Sequence, residues 1–79
     1  MDDITFKNLE EQLKIKFPLG IPRKKVGDAT GGLLHPRTMA NQDSLGVGIK
    51  NRFSVGRITV YPVVSLVEYI KYRTSIVVS

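Results

Sequence analysis

The fold is decided by residues 34–72 of the chain, LHPRTMANQDSLGVGIKNRFSVGRITVYPVVSLVEYIKY. In HPRTMANQDSLG, Pro36 stands one step inside the start and Gly46 stands at the end, an asymmetry typical of a helix. The segment RFSVGRITVY then alternates apolar and polar residues on both sides of Gly56-Arg57, which is the pattern of a β-hairpin. PVVSLVEYIKYR predicts a second helix. A helix followed at once by a basic hairpin predicts a winged-helix arrangement.

Two further helices are predicted before this stretch. Residues 22–29 suit a short helix with Pro22 at its first position, and the turn Gly31-Gly32 ends it. Near residues 4–16 the apolar side chains recur every three or four positions, which predicts an amphipathic helix that packs on the core. The apolar side chains of that helix are Phe6, Leu9, Leu13 and Phe17.

These elements predict an α+β fold, a small winged helix-turn-helix domain of about four helices with one two-stranded β-hairpin wing. Gly56 suits the hairpin turn because two-residue turns need positive φ angles. The predicted helices lie near residues 4–16, 22–29, 36–45 and 64–73, and the hairpin spans about 52–61. The residues expected in the core are Leu33, Leu34, Met39, Leu66, Val67 and Ile70, with Leu45 packing just beyond the third helix.

The 79 residues are long enough for one domain. Within residues 1–79 we expect a packing helix in 1–20, the winged helix-turn-helix in 21–73 and a tail in 74–79. No pattern ends the last helix clearly. Two alternatives therefore stay open for the tail, a disordered segment or an edge strand formed by Ile76, Val77 and Val78.

The composition excludes several classes of site. The chain has no Cys, so it contains neither a disulfide framework nor a thiolate metal site. A lone His35 does not form a zinc site or a catalytic triad, and a role at a helix cap is favoured for it. We expect no enzyme activity, no cofactor and no metal. An acidic N-terminus and the lack of a long apolar run predict a cytoplasmic protein without a membrane span.

The net charge of +5 is concentrated in the middle of the chain. Residues 21–60 contain seven Lys or Arg and two Asp, a net of +5, whereas residues 1–20 have a net charge of −1. Phosphate contacts supply most of the non-specific affinity for DNA, so this concentration of charge is what a DNA-binding surface would show, although charge alone supports the alternative equally. An ordinary solvated basic surface is the alternative interpretation.

The segments GGLLHPRTMANQDSLG and FSVGRITVYPVVSLVEYI together resemble a known family. In the order and spacing of their motifs, residues 31–73 are similar to the excisionase-like or AlpA-like helix-turn-helix proteins of prokaryotes and phages. The architecture of that family is the winged-helix DNA-binding domain of MerR regulators. The resemblance implies sequence-specific binding of double-stranded DNA, either as an excisionase-like factor of a phage or prophage in DNA recombination or as a small transcriptional regulator.

The resemblance also implies the class of partner. Besides DNA, an integrase or recombinase, or RNA polymerase, is the candidate protein partner, and the chain is expected to act as a monomer or weak dimer. A winged-helix adaptor that binds proteins and not DNA is the alternative function. Tyr69 and Tyr72, three residues apart on the last helix, would then form a partner surface in place of ordinary packing.

Polar and basic residues of the predicted helix-turn-helix and wing are the candidate DNA contacts. In the major groove Arg pairs with guanine, and Asn or Gln pairs with adenine. Asn41 has a second interpretation, as a residue that closes the helix end, and the run from Arg23 to Lys25 has one as a solvated face. The predicted DNA-binding residues are Arg23, Lys24, Lys25, Arg37, Thr38, Asn41, Gln42, Lys50, Arg52 and Arg57.

Overall fold

A computed structural model describes residues 3–73 and shows four α-helices and a small antiparallel sheet in that range. The elements in chain order are α1 (Asp3–Lys16), β1 (Ile21–Pro22), a 3-10 turn (Arg23–Lys25), α2 (Val26–Ala29), α3 (Pro36–Ser44), β2 (Phe53–Val55), β3 (Ile58–Tyr61) and α4 (Val63–Arg73). The predicted α+β class is confirmed. The predicted tail, residues 74–79, lies outside the described residues.

The sheet has three strands in the order β1-β3-β2, so the prediction of a two-stranded wing was incomplete. Ile21 pairs with Tyr61, and Pro22 pairs with Val60, which places β1 along the free side of β3. Pro22 has an extended backbone, with φ −61° and ψ 144°. Proline is tolerated there because an edge strand leaves one row of N–H positions without a partner strand.

The pairing of β1 also corrects the predicted helix over residues 22–29. Pro22 belongs to the strand, Arg23–Lys25 forms a 3-10 turn, and only Val26–Ala29 is α-helical. Pairing with Val60 and Tyr61 of β3, which lie 38 and 40 residues from their partners in sequence, outweighs the local pattern that favours a helix start at proline.

The hairpin was predicted correctly. β2 and β3 are antiparallel with Val55 opposite Ile58, so Gly56 and Arg57 form a two-residue turn. Gly56 has a φ of +62°, the left-handed region that this turn requires. We call β2, this turn and β3 the wing.

One hydrophobic core joins the helices to the sheet. The predicted inward residue Met39 is fully buried, and α1 packs along α4 as its apolar spacing predicted. The buried apolar residues are Phe6, Leu13, Ile21, Val26, Met39, Ile49, Val60, Tyr61, Val63, Leu66, Val67 and Ile70. Within residues 3–73, no helix is both long enough and apolar enough to cross a membrane.

Two leucines expected to pack are exposed. Leu45 is 74% exposed because it lies four residues after Asn41, on the outer side of α3. Leu33 is 64% exposed, while its neighbour Leu34 packs against the core. The Thr30 side chain fixes this turn: its Oγ1 donates to the Val26 carbonyl and accepts the Leu34 N–H at 3.1 Å.

Candidate nucleic-acid interface

Helix α3 turns one face to the core and one to solvent. Met39 and Asp43, four residues apart, form the inner face and are buried. On the outer side Arg37, Thr38 and Asn41 are exposed, and no helical neighbour covers them. The helix therefore presents three of the predicted DNA-binding side chains in one direction.

Gln42 differs from its outward-facing neighbours. Its side chain is half-buried, and its Oε1 accepts a hydrogen bond from Arg73 Nη2 of α4 at 2.9 Å. That bond uses one of the two lone pairs of the amide oxygen, whereas an amide that pairs with adenine uses its oxygen and its nitrogen together. A base contact by Gln42 would therefore share the oxygen with Arg73 or displace Arg73.

The wing tip faces the beginning of α3 across a cleft of about 230 Å³. Both the 3-10 turn and the wing contribute cationic side chains to the walls, and none of the lining residues is acidic. We call this the wing cleft, and it is lined by Arg23, Lys24, Pro36, Arg57, Ile58 and Thr59. The fold thus brings three of the predicted DNA contacts together from positions 34 residues apart in sequence.

A buried carboxylate holds the 3-10 turn, α3 and β3 to one another. Asp43 Oδ2 accepts a hydrogen bond from Arg23 Nη2 at 2.7 Å and another from the Tyr61 hydroxyl at 2.5 Å. Arg23 Nε donates to the same hydroxyl at 2.9 Å. The Asp43 side chain is 5% exposed and that of Arg23 is 31% exposed. Arg23 therefore has a structural partner as well as a place in the wing cleft.

The second arginine at Asp43 is Arg52. Its Nη1 donates to the Ile49 carbonyl at 3.2 Å, and its Nη2 donates to the Asp43 carbonyl at 3.3 Å. Arg52 Nε lies 3.8 Å from Asp43 Oδ1, a buried oxygen that has no hydrogen-bond partner among the described residues. These bonds hold the connection between α3 and the wing, so Arg52 also has a structural role.

Gly48 makes room for this network. A Cβ at position 48 would overlap Oδ1 of Asp43 and lie 2.9 Å from the Asp43 backbone nitrogen. The connection therefore needs glycine here, because the chain passes directly against the buried carboxylate.

The network changes the titration of two of its members. Burial, and then the hydrogen bond to Asp43, raises the pKa of Tyr61 to about 12. The hydrogen bonds to Tyr61 and Asp43 raise the pKa of Arg23 above its ordinary value. At neutral pH Tyr61 is therefore a neutral phenol and Arg23 a guanidinium.

We expect the protein to lose stability at alkaline pH through Tyr61. Its pKa is about 12 in the folded chain and 10.0 in a free tyrosine. The stabilisation that the protonated Tyr61 hydroxyl gives the folded state is therefore complete below pH 10 and is lost as the pH rises through 12. By pH 11 the loss should be about 1.4 kcal/mol. Urea unfolding at pH 9 and pH 11 measures it, with Tyr61→Phe as the control for lysine titration. An equal loss in the variant would contradict the assignment.

The remaining predicted contacts lie elsewhere. Lys25 and Lys50 are exposed, and neither lines the wing cleft. Lys50 and Arg52 line a second, larger cleft of about 560 Å³ between the α3–β2 connection and α4. We call it the α4 cleft. Its aromatic wall is formed by Tyr69 and Tyr72, and Tyr72 is 92% exposed.

Sequence reasoning missed Asp43 and Tyr61, the centre of the network. Asp43 lies in the last turn of α3, which ends at Ser44, and its carboxylate is buried. One sequence feature does single it out: between Ala29 and Val67 it is the one carboxylate, in a stretch rich in Arg and Lys.

No group of three or more His, Asp or Glu that would hold a metal ion occurs in the described part of the chain. Comparison with protein-family models, with curated proteins and with solved structures finds no match to this chain.

Proposed function

We propose that the protein binds double-stranded DNA sequence-specifically through α3 and the wing, and that it has no catalytic activity. The observation that supports this most is one of placement. The beginning of α3, at Pro36, and the cationic wing tip line one cleft with no acidic residue in its wall. Arg37, Thr38 and Asn41 of the same helix are exposed. Helix and wing would contact neighbouring parts of one duplex.

The size of α3 suits the major groove. An α-helix with its side chains is about 10–12 Å across, and the major groove of B-DNA is about 12 Å wide, so the groove admits one helix. The nine residues of α3 give it roughly 13 Å of length along the groove. Arg37 would pair with guanine and Asn41 with adenine, while Thr38 is suited to a base edge or a phosphate. Arg57 at the wing tip would contact a phosphate or enter the minor groove.

The burial of Asp43 supports the same proposal. It removes from the surface the one carboxylate in the sequence between Ala29 and Val67, which includes α3 and the wing. An exposed acid there would repel the phosphate backbone. Because Asp43 is buried and paired with Arg23 and Arg52, it instead stabilises the packing of α3 against the sheet.

Two biological roles fit this surface. As an excisionase-like factor the protein would bind near an attachment site, bend the DNA and recruit an integrase. As a transcriptional regulator it would bind a promoter and affect RNA polymerase. Both roles are cytoplasmic and use the same face of the protein, so the surface does not distinguish them. A gene that lies beside an integrase gene would favour the excisionase-like role.

Titration with random duplex DNA at low salt tests the proposal. We expect binding whose logarithmic association constant falls linearly with the logarithm of the salt concentration, by about 0.9 per phosphate contact. No binding even at low salt would overturn the DNA-binding proposal.

We expect Arg57→Ala to weaken specific and random duplexes by similar amounts and to lower the salt slope by about one. Arg57 is exposed at the wing tip, and Gly56 sets the turn, so the hairpin should remain folded. Fluorescence anisotropy over a range of salt concentrations measures both quantities. Lys16→Ala, which removes an equal charge from α1, should leave the slope unchanged, and equal slopes for all three proteins would contradict the wing contact.

The α4 cleft supports a second candidate function, a protein-interaction adaptor. Its wall carries three cations against the one carboxylate of Glu68, together with exposed Tyr72, which suits a partner segment that carries acidic and apolar side chains. The low-salt titration separates the candidates, because an adaptor of this kind would not bind the duplex.

A further inference from the structure

The wing cleft has the chemistry of a site for a single phosphate group. Lys24 and Arg57 are exposed, and neither forms an ion pair within residues 3–73. Thr59 adds a hydroxyl, and Pro36 and Ile58 supply the apolar part of the wall. No carboxylate lines the cleft, and because Arg23 is paired with Asp43 behind the wall, Lys24 and Arg57 supply the uncompensated positive charge that attracts an anion.

Arg23 differs from the other two cations of the wing cleft because its side chain is held in place by hydrogen bonds. Its Nε and Nη2 donate to Tyr61 and Asp43, which fixes the plane of the guanidinium. Its Nη1 has no partner among the described residues and remains available. Because the side chain is already ordered, binding an anion would cost it little conformational entropy.

The beginning of α3 adds a second source of positive potential. Pro36 is at the first helical position and lines the cleft, and His35 before it forms no side-chain capping bond. Pro36 itself has no N–H, and the Met39 N–H donates to the His35 carbonyl. The backbone N–H groups of Arg37 and Thr38 have no acceptor inside the helix and lie at the positive end of its dipole. This end of α3 therefore adds to the attraction of Lys24 and Arg57 for an anion.

We propose that the wing cleft binds one phosphate group, and that in the DNA complex this group is a phosphate of the duplex backbone. This rests on the proposed function. At about 230 Å³ the cleft is smaller than the roughly 300–1,000 Å³ of ordinary ligand pockets, which suits a phosphate rather than a whole nucleotide. One phosphate held between wing and α3 would fix the register of both on the duplex.

Inorganic phosphate is the probe for the first experiment. Amide NMR spectra of the full chain are recorded during titration with phosphate, at constant ionic strength adjusted with chloride. We expect saturable shifts confined to Lys24, Arg57, Thr59 and their neighbours. Lys24→Ala should weaken phosphate binding by about fivefold. Lys7→Ala, an equal change of charge on α1 away from the cleft, should bind phosphate as the wild type does.

The second experiment identifies the source of the phosphate. A duplex selected from a random pool is made with a neutral methylphosphonate at each backbone position in turn. We expect one position to weaken the wild-type protein by about fivefold and to leave the affinity of Lys24→Ala unchanged, because that contact is already lost.

The outcomes separate this inference from DNA binding itself. If the duplex binds but phosphate gives only linear, scattered shifts and no position couples to Lys24, the phosphate cleft is wrong and DNA binding stands. If phosphate saturates in the cleft but no duplex binds at low salt, DNA binding is wrong and the backbone source with it. Saturation in the cleft together with coupling at one backbone position supports both proposals.

Discussion

Replacing Asp43 with Ala is expected to lower the free energy of unfolding by about 3 kcal/mol. Removing one member of a buried ion pair typically costs about 3–5 kcal/mol, because its partners lose their charge complement. The lower end applies here, since the side chains of Arg23 and Arg52 are 31% and 38% exposed and water screens them. The Tyr61 hydroxyl, fully buried, would also lose its acceptor. Urea unfolding followed by circular dichroism measures the change.

Two variants show whether the charge or only the shape of Asp43 matters. Asp43→Asn keeps the shape and removes the charge, so it should cost less than Ala but still about 1.5–3 kcal/mol. Asp28→Ala removes an exposed carboxylate from α2 and should change stability by no more than about 0.5 kcal/mol. If Asp43→Ala were no more destabilising than Asp28→Ala, the network would not hold the fold together.

The elements governed by local patterns were predicted from the sequence. The spacing of apolar residues placed α1 and α4 within one residue of their observed bounds, and Gly56 placed the turn of the wing. In each case the information lies within a few neighbouring residues, because helix periodicity and turn geometry depend on the local backbone.

The parts that were missed depend on contacts between distant residues. β1 is only two residues long and exists because β3 pairs with it across the fold. The network at Asp43 joins residues 18 and 20 positions away, and no spacing rule connects them. For this reason Arg23 and Arg52 were predicted as DNA contacts alone, without their bonds to the carboxylate.

Arg37→Ala is expected to cost about 1–3 kcal/mol of binding free energy on the specific duplex and much less on random DNA. Arg37 is exposed on the outer side of α3, which the proposal places in the major groove, and removing a bidentate contact to guanine weakens the correct sequence selectively. The sequence assigned Gln42 the same role. Because Gln42 is bonded to Arg73, its replacement by Ala should cost less than that of Arg37.

Binding to the selected duplex and to a random one, measured side by side, tests this division between helix and wing. The matched variant is Arg57→Ala, which should weaken both duplexes alike, since a phosphate contact contains no sequence information. The ratio of the two affinities should therefore fall for Arg37→Ala and stay constant for Arg57→Ala. If instead Arg57→Ala removed the specificity and Arg37→Ala had no effect, α3 would not be the element that recognises the bases. The wing would then be the element that contacts the base edges.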